Sequence, residues 1–339
     1  MKTQAIGFDI GGANIKAATV EGQSISKPFE LWKSPEGLGD VLGEILGTLP
    51  ETDLLAVTMT GELADCFRTK SEGVTSILDS VSSVAGSSKV AVWQTGAEFV
   101  DQITAREIPL LVAAANWHAL ATFAGRLIPR GPGLLVDIGT TTTDIIPIED
   151  GIPVPLGMTD AERLQSGELV YSGVRRTPVC AVAHTVPFRD GYCPLAAEWF
   201  ATMLDVYIIL GRISEDNENL DTANGRPATL AESRDRLARA LCADNTEVSE
   251  SELLTIARFL ADVQEKRISG PLQTVVNRLG DCQSTLISGA GSFIAKEILG
   301  KAGKTQDATL LELDEALTPE ISESACAFAV AKLAVERIT

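Results

Sequence analysis

The chain has 339 residues, long for one compact unit and enough for two domains that share a cleft. Hydrophobic residues make up 45%, which excludes a disordered chain, and no run approaches the roughly 18 uninterrupted apolar residues of a membrane span. With 28 Lys and Arg against 46 Asp and Glu the formal net charge is −18, so nucleic acid and anionic membranes are excluded as partners, and an anionic substrate needs cations gathered locally.

The N-terminal stretch places Asp9 and Lys16 inside its first apolar run, which does not read as a signal peptide, and a cytoplasmic protein is the expectation. Residues 5–10 form a short apolar strand, Gly11 and Gly12 turn the chain, and residues 15–20 resume it. A helical pattern covers about Leu38 to Leu49, followed by a buried-strand pattern at Leu54 to Met59. A helix at Val74 to Val84 and an extended segment at Lys89 to Trp93 come next. Pro109 to Ala113 is a further strand candidate, and Asn116 is placed to cap a helix reaching about Leu127. The breakers in Pro129-Arg130-Gly131-Pro132-Gly133 divide the chain into an N-terminal unit, residues 1–130, and a C-terminal unit, residues 131–339.

Just past that boundary the opening pattern returns. An apolar strand ending in Asp137-Ile138-Gly139, a turn of Thr140, Thr141 and Thr142, and a second apolar run after Asp144 repeat the arrangement around Asp9-Ile10-Gly11-Gly12, which points to internal duplication. From about 160 to 280 the pattern becomes mostly helical, with an apolar stripe at Pro194 to Leu210 and capping boxes at Thr229 to Glu232 and Ser249 to Glu252. Strand character returns at Ser284 to Ile287, then Gly289-Ala290-Gly291, a helix from Phe293 to about Leu299, a short strand near Leu310 and a terminal helix at about 320–335. The six cysteines show no disulfide framework and are expected to be buried, reduced thiols; Cys180, His184 and Cys193 match no common zinc spacing.

Tight turns rich in Gly and Thr expose backbone N–H groups that can converge on phosphate oxygens. Gly11 and Gly12 open the first turn to close approach, and Gly139 with Thr140, Thr141 and Thr142 forms the second and adds hydroxyl donors. Asp9 and Asp137, each ending the strand before its turn, are candidate Mg²⁺ ligands, while Asp144, across the second turn, is a metal or base candidate. Gly289 and Gly291 supply a third glycine loop. Two equivalent turns and a late glycine loop in this order resemble the actin/hexokinase/Hsp70 superfamily. The resemblance implies an α/β fold of duplicated ribonuclease-H-like (actin-like ATPase) domains with a polyphosphate and its metal between them, and a helical insertion in the second half.

Five further runs sharpen this. Gly61-Glu62-Leu63-Ala64-Asp65, Asn116-Trp117, Asp137 to Ile148, Arg175-Arg176-Thr177-Pro178 and Leu241-Cys242-Ala243-Asp244 together resemble a group related to the hydantoinase A/oxoprolinase proteins. That group is the methanofuran-biosynthesis synthases and their bacterial relatives, the tetrahydromethanopterin-linked C1-transfer proteins, which serve methylofuran. The resemblance implies a transferase that joins an aminomethylfuran-methyl diphosphate to the phenol of a tyramine- or tyrosine-type acceptor and releases pyrophosphate.

The residues suit that chemistry. The furan ring stabilises the cation developing at its methylene, so the protein must chiefly bind and neutralise departing pyrophosphate, and two phosphate turns with Mg²⁺ serve that as they would serve ATP. Lys16 and Arg176 are the cations expected on the phosphates. Glu62 and Asp65, in the loop after the strand Leu54 to Met59, compete with Asp144 as proton acceptor for the attacking hydroxyl. Asn14, Asn116 and Trp117 are assigned to substrate contacts, Trp117 either stacking on an aromatic ring or filling the core. His118, His184, Arg236 and Arg239 read as structural. The alternatives are an ATP-dependent kinase or hydantoinase/oxoprolinase-like hydrolase, with ATP as cofactor, and a nucleotide-sensing scaffold. The expected partners are a small-molecule diphosphate and a phenol- or amine-bearing acceptor, with a homodimer left open.

Overall fold

The strand Ile6–Ile10 (β1) is buried at every position, as a strand covered on both faces must be, and it anchors the first sheet of the computed structural model. The structure describes residues 4–303, 305 and 307–338, without the side chains of 319 and 320; the first three residues of the N-terminal stretch therefore lie outside the described residues. From β1 the chain forms β2 (Asn14–Thr19), β3 (Ser24–Pro28), α1 (Leu38–Thr48), β4 (Leu54–Met59), α2 (Lys70–Ala85), β5 (Lys89–Gln94) and β6 (Glu98–Val100). Three helices close this half: α3 (Gln102–Glu107), α4 (Pro109–Val112) and α5 (Asn116–Ala124). The sheet order is β3-β2-β1-β4-β5-β6, antiparallel from β3 to β1 and parallel from β1 through β4 to β5.

The second half opens with β7 (Pro132–Ile138), β8 (Thr143–Glu149), β9 (Ile152–Pro153), α6 (Asp160–Ser166) and β10 (Leu169–Val170). There follow α7 (Val179–Val182), β11 (Thr185–Phe188), β12 (Gly191–Pro194), α8 (Met203–Ile209), α9 (Leu230–Arg239) and α10 (Glu250–Leu279). The chain then forms β13 (Ser284–Ser288), α11 (Ser292–Lys301), β14 (Thr309–Glu312), α12 (Leu313–Ala316), α13 (Pro319–Glu323) and α14 (Ala325–Ile338). Its sheet runs β10-β8-β7-β13-β14, antiparallel from β10 to β7 and parallel from β7 through β13 to β14. Apart from β6, which has no counterpart, and the outer strand, divided here between β9 and β10, this repeats the order and directions of the first sheet, so the protein is a duplicated α/β fold of the ribonuclease-H-like, actin-like type.

Two helices interlock the halves. At α5, the N-cap Ala115 and Ala119 pack against the first sheet with Leu54, Ala56 and Trp93, while Trp117, Leu120 and Ala121 pack against Leu135, Ile146 and Ile148 of the second. The terminal helix α14 crosses back onto β1, β2 and β4, where the Ala327 carbonyl oxygen comes so near Gly7 that a Cβ there would collide with it. Only glycine admits that approach.

Several elements differ from the sequence reading for local reasons. Residues 109–112 form a short helix rather than a strand, because Pro109 occupies its N1 position; only Ala113 retains an extended bridge, to Met59. Asn116 begins α5 as a helical residue behind the N-cap Ala115, and α5 gives way after Ala124 to a 3-10 turn at Gly125–Leu127. The apolar stripe from Pro194 contains a helix only from Met203, where Asp205 accepts the Thr202 N–H at 2.9 Å. Upstream lies the hairpin β11–β12, an interruption of an otherwise helical excursion. The terminal helix is split at Ser324 into α13 and α14. The cysteines are unbridged; Cys282 is buried, Cys66, Cys180, Cys193 and Cys326 are half-buried, and Cys242 is exposed.

Candidate functional site

Both Asp-Ile-Gly turns close with the same hydrogen bond. The Gly11 N–H donates to the Asn14 carbonyl at 3.0 Å and the Gly139 N–H to the Thr142 carbonyl at 2.9 Å. The ladder registers then pair Asp9 with Lys16 in the first hairpin and Asp137 with Asp144 in the second. On the other side, Thr58 of β4 lies beside Asp9 and Ser288 of β13 beside Asp137. The duplication has therefore kept the aspartates equivalent while diverging opposite them, a lysine in one half and an aspartate in the other.

Burial pushes the Asp9 carboxyl above its usual range, against the pull of the Lys16 charge and a hydrogen bond from Asn116. Asp137 is pushed up to about 7, chiefly by burial and then by the charge of Asp144, while Ser288 and Lys16 oppose the shift. Lys16 thus faces both aspartates. Cys326, near the start of α14, faces them too, and burial with their charges holds its thiol well up. One oxygen of Asp9 is buried without a hydrogen-bond partner. Two desolvated carboxylates, one with an unused oxygen, are a donor set suited to a hard divalent cation. Among the described residues no group of three His, Cys, Asp or Glu is close enough to hold a metal unaided. A divalent ion held by these two carboxylates would need further ligands from water or substrate.

The loops around the second turn are tightly fitted. Gly289 has φ +85, and a Cβ there would strike the Ile138 carbonyl and Asp137 Oδ1. The Gly291 N–H donates to the Ile138 carbonyl at 2.8 Å. The backbone N–H groups of Arg175 and Arg176 both donate to the Thr140 carbonyl, at 3.1 and 3.0 Å. Neither arginine makes an ion pair among the described residues, and Arg175 Nε is buried without a partner. Gly12, by contrast, would meet nothing within 4 Å if it carried a Cβ, so its openness is available to a ligand.

Glu62 follows Gly61, which packs on the backbone of Gly11. It is 1% exposed, and its carboxyl is pushed up to about 7 by burial, against a hydrogen bond from the Ala114 N–H and the charge of Lys70. Its Oε1 lies 3.9 Å from Lys70 Nζ, and Oε2 is buried without a partner. Asp160, from the opposite half, raises it further. Ala114 holds a left-handed φ of 48°, a strained conformation that turns its N–H toward this carboxyl. Asp65 is exposed on the same loop, beside Cys66.

Asp144 is not a free base. Its Oδ1 accepts from Arg163 at 2.6 Å, and Arg163 is 1% exposed. The same guanidinium donates to the Glu168 carbonyl at 3.1 Å, lies 3.9 Å from Asp160 and stacks 3.8 Å from the centre of the Trp117 ring. Trp117 is 3% exposed, and the face that Arg163 covers is closed to a substrate ring. Asn116 acts on Asp9, while Asn14 is exposed at the edge of the first turn. His118 is held near 4 by burial and by Arg163 and Arg337, and stays neutral. Arg236 binds Asp205 at 2.7 Å inside the helical region and Arg239 is exposed. Arg163, Lys70, Asp160 and Ser288 were not singled out from sequence. The one available signal was Thr159 to Glu162, a capping box that fixes the start of α6 and so the direction of Arg163.

A family model described as hydantoinase/oxoprolinase matches residues 53–337. A curated protein of Methanocaldococcus jannaschii is 35% identical over 336 residues, covering 98% of each chain; it is named (4-{4-[2-(gamma-L-glutamylamino)ethyl]phenoxymethyl}furan-2-yl)methanamine synthase. The chain belongs to this family. A synthase of the same name from Methanococcus vannielii is 32% identical over 200 residues, 59% of this chain and 89% of that one. Membership makes the chain an enzyme of the synthase group within the hydantoinase/oxoprolinase family. Among solved structures, (R)-2-hydroxyglutaryl-CoA dehydratase component A of Acidaminococcus fermentans aligns over 98% of both chains at 9% identity and TM-score 0.46. No helix of the synthase, among the described residues, is long and apolar enough to cross a membrane.

Proposed function

We propose that the enzyme makes the ether bond of a methanofuran-type coenzyme, coupling an aminomethylfuran-methyl diphosphate to the phenol of a tyramine-type acceptor and releasing pyrophosphate. What carries the reading is 35% identity to a furanylmethanamine synthase across 98% of both chains, with the motifs quoted above all inside the match. In the reaction the furanylmethyl carbon–oxygen bond breaks, the electron pair leaves with pyrophosphate, and the phenol oxygen bonds to the methylene carbon while losing its proton. The substrates are small molecules carrying phenol, amine and diphosphate groups.

The two turns supply backbone N–H groups to the diphosphate, and Lys16, Arg175 and Arg176 supply positive charge. Mg²⁺, held by Asp9 and Asp137, would neutralise charge developing on the departing diphosphate. Glu62 is the strongest of the proposed proton acceptors. It is buried beside the first turn, has an unused oxygen, and is held near neutrality, whereas Asp144 is engaged by Arg163 and Asp65 is solvated. Arg163 holds Asp144 and Trp117 together across the two halves, beside Asp160, whose charge reaches Glu62.

The test is release of pyrophosphate and phosphate by purified protein with Mg²⁺. It is supplied in parallel with the furan diphosphate plus a tyramine-type acceptor, or with ATP plus the same acceptor. Pyrophosphate from the furan substrate alone, with the coupled product identified by mass, is the expected result. ATP turnover in its place overturns the reading.

A further inference from the structure

We infer that the cavity between α8, α10 and α11 binds the amino-acid end of the acceptor, with Arg258 on its α-carboxylate and Asp262 on its α-ammonium. The inference rests on the synthase reading above and names a substrate subsite that the phosphate turns do not supply. The cavity has a volume of about 280 Å³. At one corner Tyr207 and Phe293 meet edge to face with ring centres 5.0 Å apart, a surface suited to a hydrocarbon linker.

The charges around it sort into two kinds. Arg212 is paired with Glu297, and Glu265 with Lys301. Arg258 and Asp262 line the same wall one helical turn apart, and among the described residues neither makes an ion pair, with each other or elsewhere. Arg placed N-terminal to Asp is the weaker order for an i,i+4 pair, which favours leaving both for a ligand. Both are exposed and Asp262 also feels the charge of Lys301, so the two opposite charges, a turn apart at the rim of the cavity, are open to a zwitterion. The γ-glutamyl group in the names of the related synthases ends in one.

The position fits as well. Phe293 and Ile294 belong to the first turn of α11, directly after the Gly289–Gly291 loop that closes on Asp137. One wall of the cavity is thus built by the end of α11 that follows the loop closing on Asp137. The wall is also wired to the second turn. Tyr207 donates to Gln264 Oε1 at 2.6 Å, and Gln264 Nε2 donates to Ser172 Oγ and the Gly173 carbonyl, both at 2.9 Å. A Cβ on Gly173 would lie 2.5 Å from the Thr141 nitrogen, so this segment buttresses the turn itself.

The direct probe is L-glutamate γ-ethylamide, which carries the amino-acid end and the amide but no phenol. Its binding is followed by saturation-transfer NMR with the wild type, Arg258→Ala and Asp262→Ala. Binding to the wild type, weakened about tenfold in each variant and untouched by ATP, is the expected result. No binding to the wild type, equal binding by the variants, or displacement of the probe by ATP overturns the inference. In turnover, Arg258→Ala should raise KM about tenfold for a γ-glutamyl acceptor while sparing kcat and the KM for tyramine. An equal rise for both acceptors overturns it too. Because probe binding needs no turnover, failure of the subsite and failure of the synthase reading register separately.

Discussion

Replacing Arg163 with methionine keeps most of the aliphatic stem and removes a guanidinium that is 1% exposed. Four contacts go with it: the 2.6 Å bond to Asp144, the 3.1 Å bond to the Glu168 carbonyl, the 3.9 Å approach to Asp160 and the stack on Trp117. Breaking a buried ion pair from one side costs about 3–5 kcal/mol, because the partner charge is left uncompensated. The Asp144 side chain is 15% exposed, so water reaches it and the lower end applies. Adding about 1 kcal/mol for the lost cation–π contact, net of the methionine sulfur on the ring, gives roughly 4 kcal/mol. That is a large part of a stability of about 5–15 kcal/mol. Urea unfolding followed by tryptophan fluorescence should show the midpoint falling by at least about 1 M. Adding Asp144→Asn to Arg163→Met removes the stranded charge and should return about 2 kcal/mol, a non-additivity expected of contacting groups. If the single variant loses under about 1 kcal/mol, or the second substitution adds its own full cost, the guanidinium does not bridge this interface as argued.

The carboxyls of Glu62 and Asp137 are raised from 4.5 and 3.8 to about 7, so the folded protein holds these protons more tightly than the unfolded chain does. Their contribution is therefore most favourable at acid pH and declines as pH rises through about 7; the ligand-free thermal midpoint should fall between about pH 5 and pH 7, less steeply in Glu62→Gln. A midpoint that rises across this window refutes the assignment, while kcat/KM should climb toward neutrality as Glu62 ionises. Asp137→Asn should abolish metal-dependent turnover, leave the circular dichroism spectrum close to wild type and give a neutral-pH unfolding midpoint no lower than wild type; full activity removes Asp137 from the mechanism. Gly289→Ala should destabilise by about 2 kcal/mol or more, from its φ of +85 and the collision with Asp137, whereas Gly12→Ala should leave stability unchanged and weaken pyrophosphate binding by calorimetry. Equal unfolding midpoints for the two variants contradict that contrast.

The duplicated hairpins were legible because each joins an apolar strand to a small-residue turn at one recurring spacing, so Asp9, Gly11, Asp137 and Gly139 fell into equivalent places without any tertiary information. Strand β4 and the capped helices α9 and α10 were legible for the same local reason. Where the reading slipped, apolar composition could not choose between periods. Residues 109–113 and 194–210 are apolar enough for either structure, and Pro109 in one case and the Thr202–Asp205 cap in the other decided the outcome.

The role of Arg163 was hidden for a different reason. The capping box of its helix fixes where α6 starts but not what Arg163 meets, since Asp144 lies on β8 and Trp117 comes from the other half of the chain. Its partners meet only because α5 is shared by both sheets, and that sharing is a property of the duplicated topology rather than of any local pattern. The consequence bears on the base. Sequence alone ranked Asp144 with Glu62, because both are acids near predicted loops. Once Arg163 is placed, one of the two is engaged by a buried cation and the other keeps an oxygen unpartnered beside the first turn. The same interlocking that conceals Arg163 from the sequence is what separates the two carboxylates into different roles, one holding the interface and one available to a proton.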